Sequence, residues 1–154
     1  TDLEEMAYRI ARIGKLANLD VRVMQQELYK RLLVALFTGN GDLHLENLSF
    51  LGGTEQVRLA PVYDPAPMRA WSRHNTRFAV PLVFDNKVGG LRENMIKLCE
   101  AYQYTKKQAT NLLEEIAEKT KDYVFDIDAL KNVPEQNKTR LIDVVKAERD
   151  ILVA

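Results

Sequence analysis

The chain has 154 residues, 46% of them hydrophobic, which suffices for one compact core and is short for two full domains. Its 22 basic and 22 acidic residues cancel, so no net field marks a bulk nucleic-acid binder, an acidic tail or a membrane-surface protein. A single cysteine, Cys99, excludes an intrachain disulfide, and with only His44 and His74 beside it no zinc-ligand spacing can be assembled. No apolar run approaches the ~20 residues of a membrane span, and the charged amino end is unlike a signal peptide. We therefore expect a soluble, cytoplasmic protein with no membrane partner. The chain opens in a helix-start pattern without an initiator Met, which predicts a fragment of something longer.

Asp2 with Glu5 three residues later predicts a capping box, and Leu3, Met6, Ile10 and Ile13 then share a helical face ending near Gly14. A second helix carries Met24, Leu28, Leu32, Ala35 and Leu36, and runs into the turn-rich string Thr38-Gly39-Asn40-Gly41-Asp42. Two short apolar pieces follow, Leu48 to Leu51 and Val57 to Leu59. Gly52-Gly53-Thr54-Glu55 between them predicts a β-hairpin. From Pro61 to about Asn75 the pattern is that of an ordered loop, and Thr76 to Phe84 could hold one more extended segment.

The remainder is helical by period. Leu91, Met95, Leu98 and Tyr102 form one face; Thr105 with Gln108 caps the next helix, with Ala109, Leu112, Leu113 and Ile116 buried. Pro134 opens the last helix at its first position, and Leu141, Val144, Val145 and Leu152 supply its buried stripe. The architecture predicted is a single domain over 1–154, mainly α, with one small β-hairpin.

Chemistry concentrates in Gly39-Asn40-Gly41-Asp42-Leu43-His44-Leu45-Glu46-Asn47, then the hairpin, then Ala60-Pro61-Val62-Tyr63-Asp64-Pro65. Phosphoryl transfer from ATP needs a carboxylate at the acceptor hydroxyl, and an amide plus a second carboxylate to hold magnesium. Protein kinases arrange these as an Asp, an Asn five positions later, a hairpin, and a metal-binding Asp. Asp42, Asn47 and Asp64 follow that order. Gly39 and Gly41 permit the tight backbone that projects Asp42 from the end of the second helix, and the hairpin returns Asp64 toward Asn47.

GNGDLHLENLSFL followed by LAPVYDPAP resembles the HipA family of Ser/Thr protein kinases, whose members pair a G-N-x-D-x-H-x-x-N loop with a P-x-Y-D segment. The similarity is clearest from about Leu32 to Pro67. It implies the helical C-terminal lobe of a protein-kinase-like fold, with Asp42 as catalytic base, Asn47 as a magnesium and phosphate ligand and Asp64 as the principal magnesium ligand. His44, two positions after the base, stands where many kinases carry a phosphoryl-contacting Lys; a His that hydrogen-bonds the loop backbone is the alternative. ATP and Mg2+ are the implied cofactors, and a protein substrate and an antitoxin the implied partners.

Two departures stand out. Glu46 occupies a position where many HipA-like sequences are basic, and no Gly-rich phosphate loop or V-A-I-K Lys precedes Asp42. About forty residues come before the loop, so the nucleotide-clamping N-terminal lobe is expected in sequence outside this chain, which alone should be inactive. Arg69, Arg73, His74 and Arg77 form either a substrate-facing cluster or a solvated surface strip, Trp71 among them could tie the loop to the core, and Cys99 reads as a buried, inert thiol. Alternatives to the protein kinase are a small-molecule kinase of the aminoglycoside phosphotransferase type, against which Pro-x-Tyr-Asp argues, and a non-catalytic regulator or pseudokinase. No recognition helix or basic stretch suggests direct nucleic-acid binding.

Overall fold

The computed structural model describes residues 1–53 and 57–154. The predicted loop residues Thr54 and Glu55 lie outside them. Helix α1 (Leu3–Leu16) starts where the Asp2 carboxylate accepts from the Glu5 amide at 2.8 Å. Only this half of the capping box forms, because the Glu5 carboxylate turns outward to Arg9. Ile13, expected inside, is 43% exposed, and Gly14 takes the buried place. There α2 (Val21–Thr38) packs so closely that a Cβ on Gly14 would meet Val21 Cγ2 at 2.8 Å.

Helix α2 forms the central axis. Its apolar side chains include the fully buried Leu28, Tyr29, Leu32 and Leu33, and it is hydrophobic around much of its circumference, as befits a helix packed on several sides. Burial pushes the Tyr29 phenol well above its ordinary value, and its hydroxyl donates to the Met95 carbonyl at 2.7 Å. The helix stops at Gly39, whose φ of 70° is the left-handed conformation that glycine adopts without penalty.

The predicted hairpin forms as β1 (Phe50–Leu51) and β2 (Arg58–Leu59), with Phe50 opposite Leu59 and Leu51 opposite Arg58. Thr76 to Phe84, expected to be extended, forms no strand; its backbone instead serves other elements, Pro81 accepting from the Leu3 amide at 3.0 Å. Helix α3 (Leu91–Leu98) continues as a 3-10 turn over Cys99–Tyr102, and α4 (Lys106–Lys119) starts at the predicted Thr105/Gln108 capping box. The short α5 (Tyr123–Asp128) escapes sequence reading because six residues are too few to display a helical period. In α6 (Glu135–Val153) Pro134 sits one place earlier than expected, as the N-cap.

The main core joins α1 to α4. A second cluster of Ala70, Ile127, Leu141 and Val145 ties the loop after the hairpin to α5 and α6. Among the described residues no helix is long and apolar enough to cross a membrane. The observed architecture is the mainly helical one predicted, with the loops that hold Asp42 and Asp64 laid across α2 and α6.

Candidate functional site

The site begins where α2 ends. Asn40 Oδ1 accepts from the Asp42 amide at 3.0 Å, an Asx turn that closes the backbone immediately before the candidate base. The turn is also pressed from outside. A Cβ on Gly41 would meet the Thr76 carbonyl oxygen at 2.5 Å, and one on Gly39 would meet Leu141 Cδ1 at 2.6 Å. Glycine is therefore required at Gly41 by the close approach of backbone, and at Gly39 by its φ.

After the turn, residues Leu45–Asn47 make one 3-10 turn. Asn47 Nδ2 donates to the Asp42 carbonyl at 2.8 Å. This fixes the orientation of the amide and leaves its oxygen as the group able to ligate a cation. The Asp42 carboxylate is 39% exposed, with Oδ1 3.9 Å from His44 Nε2, so the candidate base and His44 are neighbours.

Asp64 reaches this region through Tyr63. The Tyr63 hydroxyl donates to the Glu46 carbonyl at 2.9 Å and lies 2.8 Å from Ser49 Oγ, bridging the segment after β2 to the loop that carries Asn47. Asp64 itself has φ of 49°, left-handed although it precedes Pro65. The residue before a proline favours extended backbone, so this conformation carries local strain of the kind that persists when surrounding contacts impose it.

Asn47 and Asp64 line one cavity of about 510 Å3 together with α2 residues, Tyr63 and Tyr123. Asp42 is joined to it through the Asn47 hydrogen bond, and its carboxylate lies outside the cavity lining. Burial holds the Tyr123 phenol above its ordinary value, Asp126 adding to the effect, and the protonated hydroxyl points to the Thr38 carbonyl at 3.3 Å. Among the described residues no three His, Cys, Asp or Glu side chains gather as a metal cage. One carboxylate and one amide oxygen are a donor set suited to magnesium, which keeps waters and completes its octahedron with substrate phosphates.

The basic cluster after Asp64 divides in two. Arg69 is 7% exposed; its Nη1 is 2.9 Å from Glu148 Oε1 and its Nε donates to Asn75 Oδ1 at 2.9 Å. Arg77 Nε lies 2.8 Å from the same carboxylate, which is 2% exposed on α6. These two arginines hold the loop to α6 and are not a substrate-facing surface. Arg73 and His74 are exposed. Trp71 is 47% exposed, so Ala70 and Arg69 tie the loop down rather than the indole. Cys99 is buried, its thiol pushed up to about 11, and it points to the Tyr104 carbonyl at 3.3 Å, as an inert core thiol does. Sequence reasoning gave no role to Glu148 or Arg31; their partners are far away in the chain and carry no local signal.

The family model for the HipA-like C-terminal domain matches residues 1–124. The chain belongs to the HipA-like family. A Haemophilus influenzae protein named "Putative kinase" is 36% identical over 62 residues, a match covering 38% of this chain and 18% of that relative. The chain thus spans under a fifth of this HipA-like chain's curated relative. No solved structure matches significantly. The Arg69–Glu148 clamp reaches from inside the matched HipA-like region to α6 beyond it.

Proposed function

We propose that this chain is the catalytic-loop and metal-binding part of a HipA-like Ser/Thr protein kinase that transfers the γ-phosphoryl group of ATP to a protein, in a cytoplasmic toxin-antitoxin setting. The observation that carries this reading is that Asn47 and Asp64, distant in sequence, line one cavity while the Asn47 amide is locked onto the Asp42 main chain.

In this reading Asp64 and the Asn47 oxygen would hold magnesium, which would supply positive charge to neutralise the phosphates. The acceptor hydroxyl oxygen forms a bond to the γ-phosphorus as the bond to the ADP oxygen breaks, and the hydroxyl proton passes to the Asp42 carboxylate. His44, 3.9 Å from Asp42, orients that carboxylate or contacts the moving phosphoryl group. Tyr63 and the Asn40 turn position the metal-binding and base-carrying segments. The elements that grip the adenine and the β and γ phosphates belong to an N-terminal lobe, so the chain alone turns over slowly: positioning supplies most of the catalysis.

The test is a phosphate-transfer assay with a bacterial lysate as acceptor, comparing this chain, the parent protein and its Asp42→Asn variant. The parent should label Ser or Thr of a protein, and the other two should not. Labelling of a small aminoglycoside instead, or full activity in the Asp42→Asn parent, refutes the reading.

A further inference from the structure

The turn that leads into Asp42 rests on a buried side chain. The Arg69 amide donates to the Gly39 carbonyl at 3.4 Å. Its Cγ stands 3.4 Å from the place a Cβ on Gly41 would take, so the stem of Arg69 lies against the turn. At the far end the guanidinium divides: Nε donates to Asn75 Oδ1 at 2.9 Å and Nη1 to Glu148 Oε1 at 2.9 Å. Asn75 precedes Thr76, whose carbonyl oxygen is the backbone atom that crowds Gly41. Arg69 therefore touches the turn, holds the neighbour of a second group that touches it, and reaches α6.

The α6 end is fixed as well. Asn137, Leu141, Val145 and Glu148 share one buried helical face. Asn137 Nδ2 donates to the Ala70 carbonyl at 2.9 Å, Leu141 and Val145 stand against Gly39, and the Glu148 carboxylate receives Arg69 and Arg77. A buried ion pair is a poor source of stability, since apolar residues of similar volume often serve as well. What a guanidinium adds is direction. Its planar, fixed donors hold two acceptors at a set angle, which neither a methionine nor a lysine does.

We infer that Arg69 is a positioning residue for Asp42: anchored on Glu148, it sets the placement of the Gly39–Asp42 turn through its own stem and through Asn75. Helix α6, beyond the residues matched by the family model, is then part of the site. The placement of the turn is a property of this chain. Its catalytic consequence rests on the kinase reading, in which a misplacement of about 1 Å costs about a hundredfold in rate.

The test uses two variants that separate positioning from stability. Asn75→Ala removes an exposed acceptor and leaves the Arg69–Glu148 pair in place. Arg69→Met with Glu148→Leu replaces the pair by apolar groups and should be more stable than Glu148→Gln alone. In amide spectra and hydrogen exchange of this chain, both variants should shift Gly41 and Asp42 and speed their exchange about tenfold relative to the amides of α4. In the parent protein both should lower kcat by at least about tenfold with KM for ATP unchanged. Where the double variant fails to fold, Asn75→Ala decides alone. Gly41 and Asp42 amides that stay in place, exchange that rises evenly along the chain, or a double variant whose kcat returns together with its stability would each overturn the proposal. A parent that transfers no phosphate refutes the kinase reading instead, and the spectra of this chain still decide the positioning.

Discussion

The Tyr63 hydroxyl donates to the Glu46 carbonyl at 2.9 Å, so the residue before Asp64 is tied to the residue before Asn47. One hydrogen bond thereby sets the spacing of the two proposed metal ligands. Tyr63→Phe removes it at a site that is 39% exposed, and the expected loss of stability is about 0.5–1.5 kcal/mol. The proposed magnesium affinity should fall further than stability does, because Asp64 is released. Urea denaturation beside a magnesium titration separates the two effects, and a loss of stability with magnesium binding unchanged would show that Tyr63 does not position Asp64.

Glu148 serves two arginines at once, and its removal leaves Arg69 as a buried, uncompensated charge. Glu148→Gln should cost about 3–5 kcal/mol. Replacing both partners with apolar residues, as in Arg69→Met with Glu148→Leu, should recover much of that, since the pair's own desolvation is then avoided. Equilibrium denaturation of the single and double variants measures it.

Much of the fold was legible because its signals are local. Asp2, Gly39 and the Thr105/Gln108 pair mark helix ends through chemistry within one turn of the chain, and the hairpin follows from apolar pieces flanking Gly52 and Gly53. The HipA resemblance rested on a compact motif in the same way. The misses are of two kinds. Residues Thr76 to Phe84 look extended by composition, yet they form no strand: Pro81 accepts from the Leu3 amide of α1, and the Thr76 carbonyl packs closely against Gly41. The Arg69 and Arg77 charges resembled a surface strip because their partner Glu148 lies on a helix more than seventy residues later.

The turn before Asp42 has no room for a side chain. Gly41→Ala would bring a Cβ to 2.5 Å from the rigid Thr76 carbonyl oxygen, an overpacking expected to cost about 1–3 kcal/mol. Because the strain falls on the segment that carries Asp42, the Asp42 and Asn47 amide resonances should move more than those of α4. Thermal unfolding and an amide spectrum of the variant check both expectations.

Stability should fall above about pH 10, the ordinary tyrosine range. Burial raises the folded-state values of Tyr29 and Tyr102 above that range. Below it both states are protonated and the native contacts are fully present; above it the unfolded chain loses protons that the folded chain retains, so unfolding is favoured as pH rises. Phenolate absorbance should then appear together with loss of helical circular dichroism. Ionisation of all six tyrosines while the helices persist would contradict the burial argument.

The central claim is that Asn47 and Asp64 form one divalent-cation site, and manganese-induced relaxation of amide resonances tests it most directly. Manganese accepts the same oxygen donors as magnesium and broadens only signals near the ion. Titration of this chain should broaden Asn47 and Asp64 together at the lowest concentrations, with Asp42 close behind, and Asp64→Asn should abolish the effect while leaving the rest of the spectrum in place. Broadening centred elsewhere, as at the exposed carboxylate of Glu100, or an unchanged pattern in Asp64→Asn, would contradict the account.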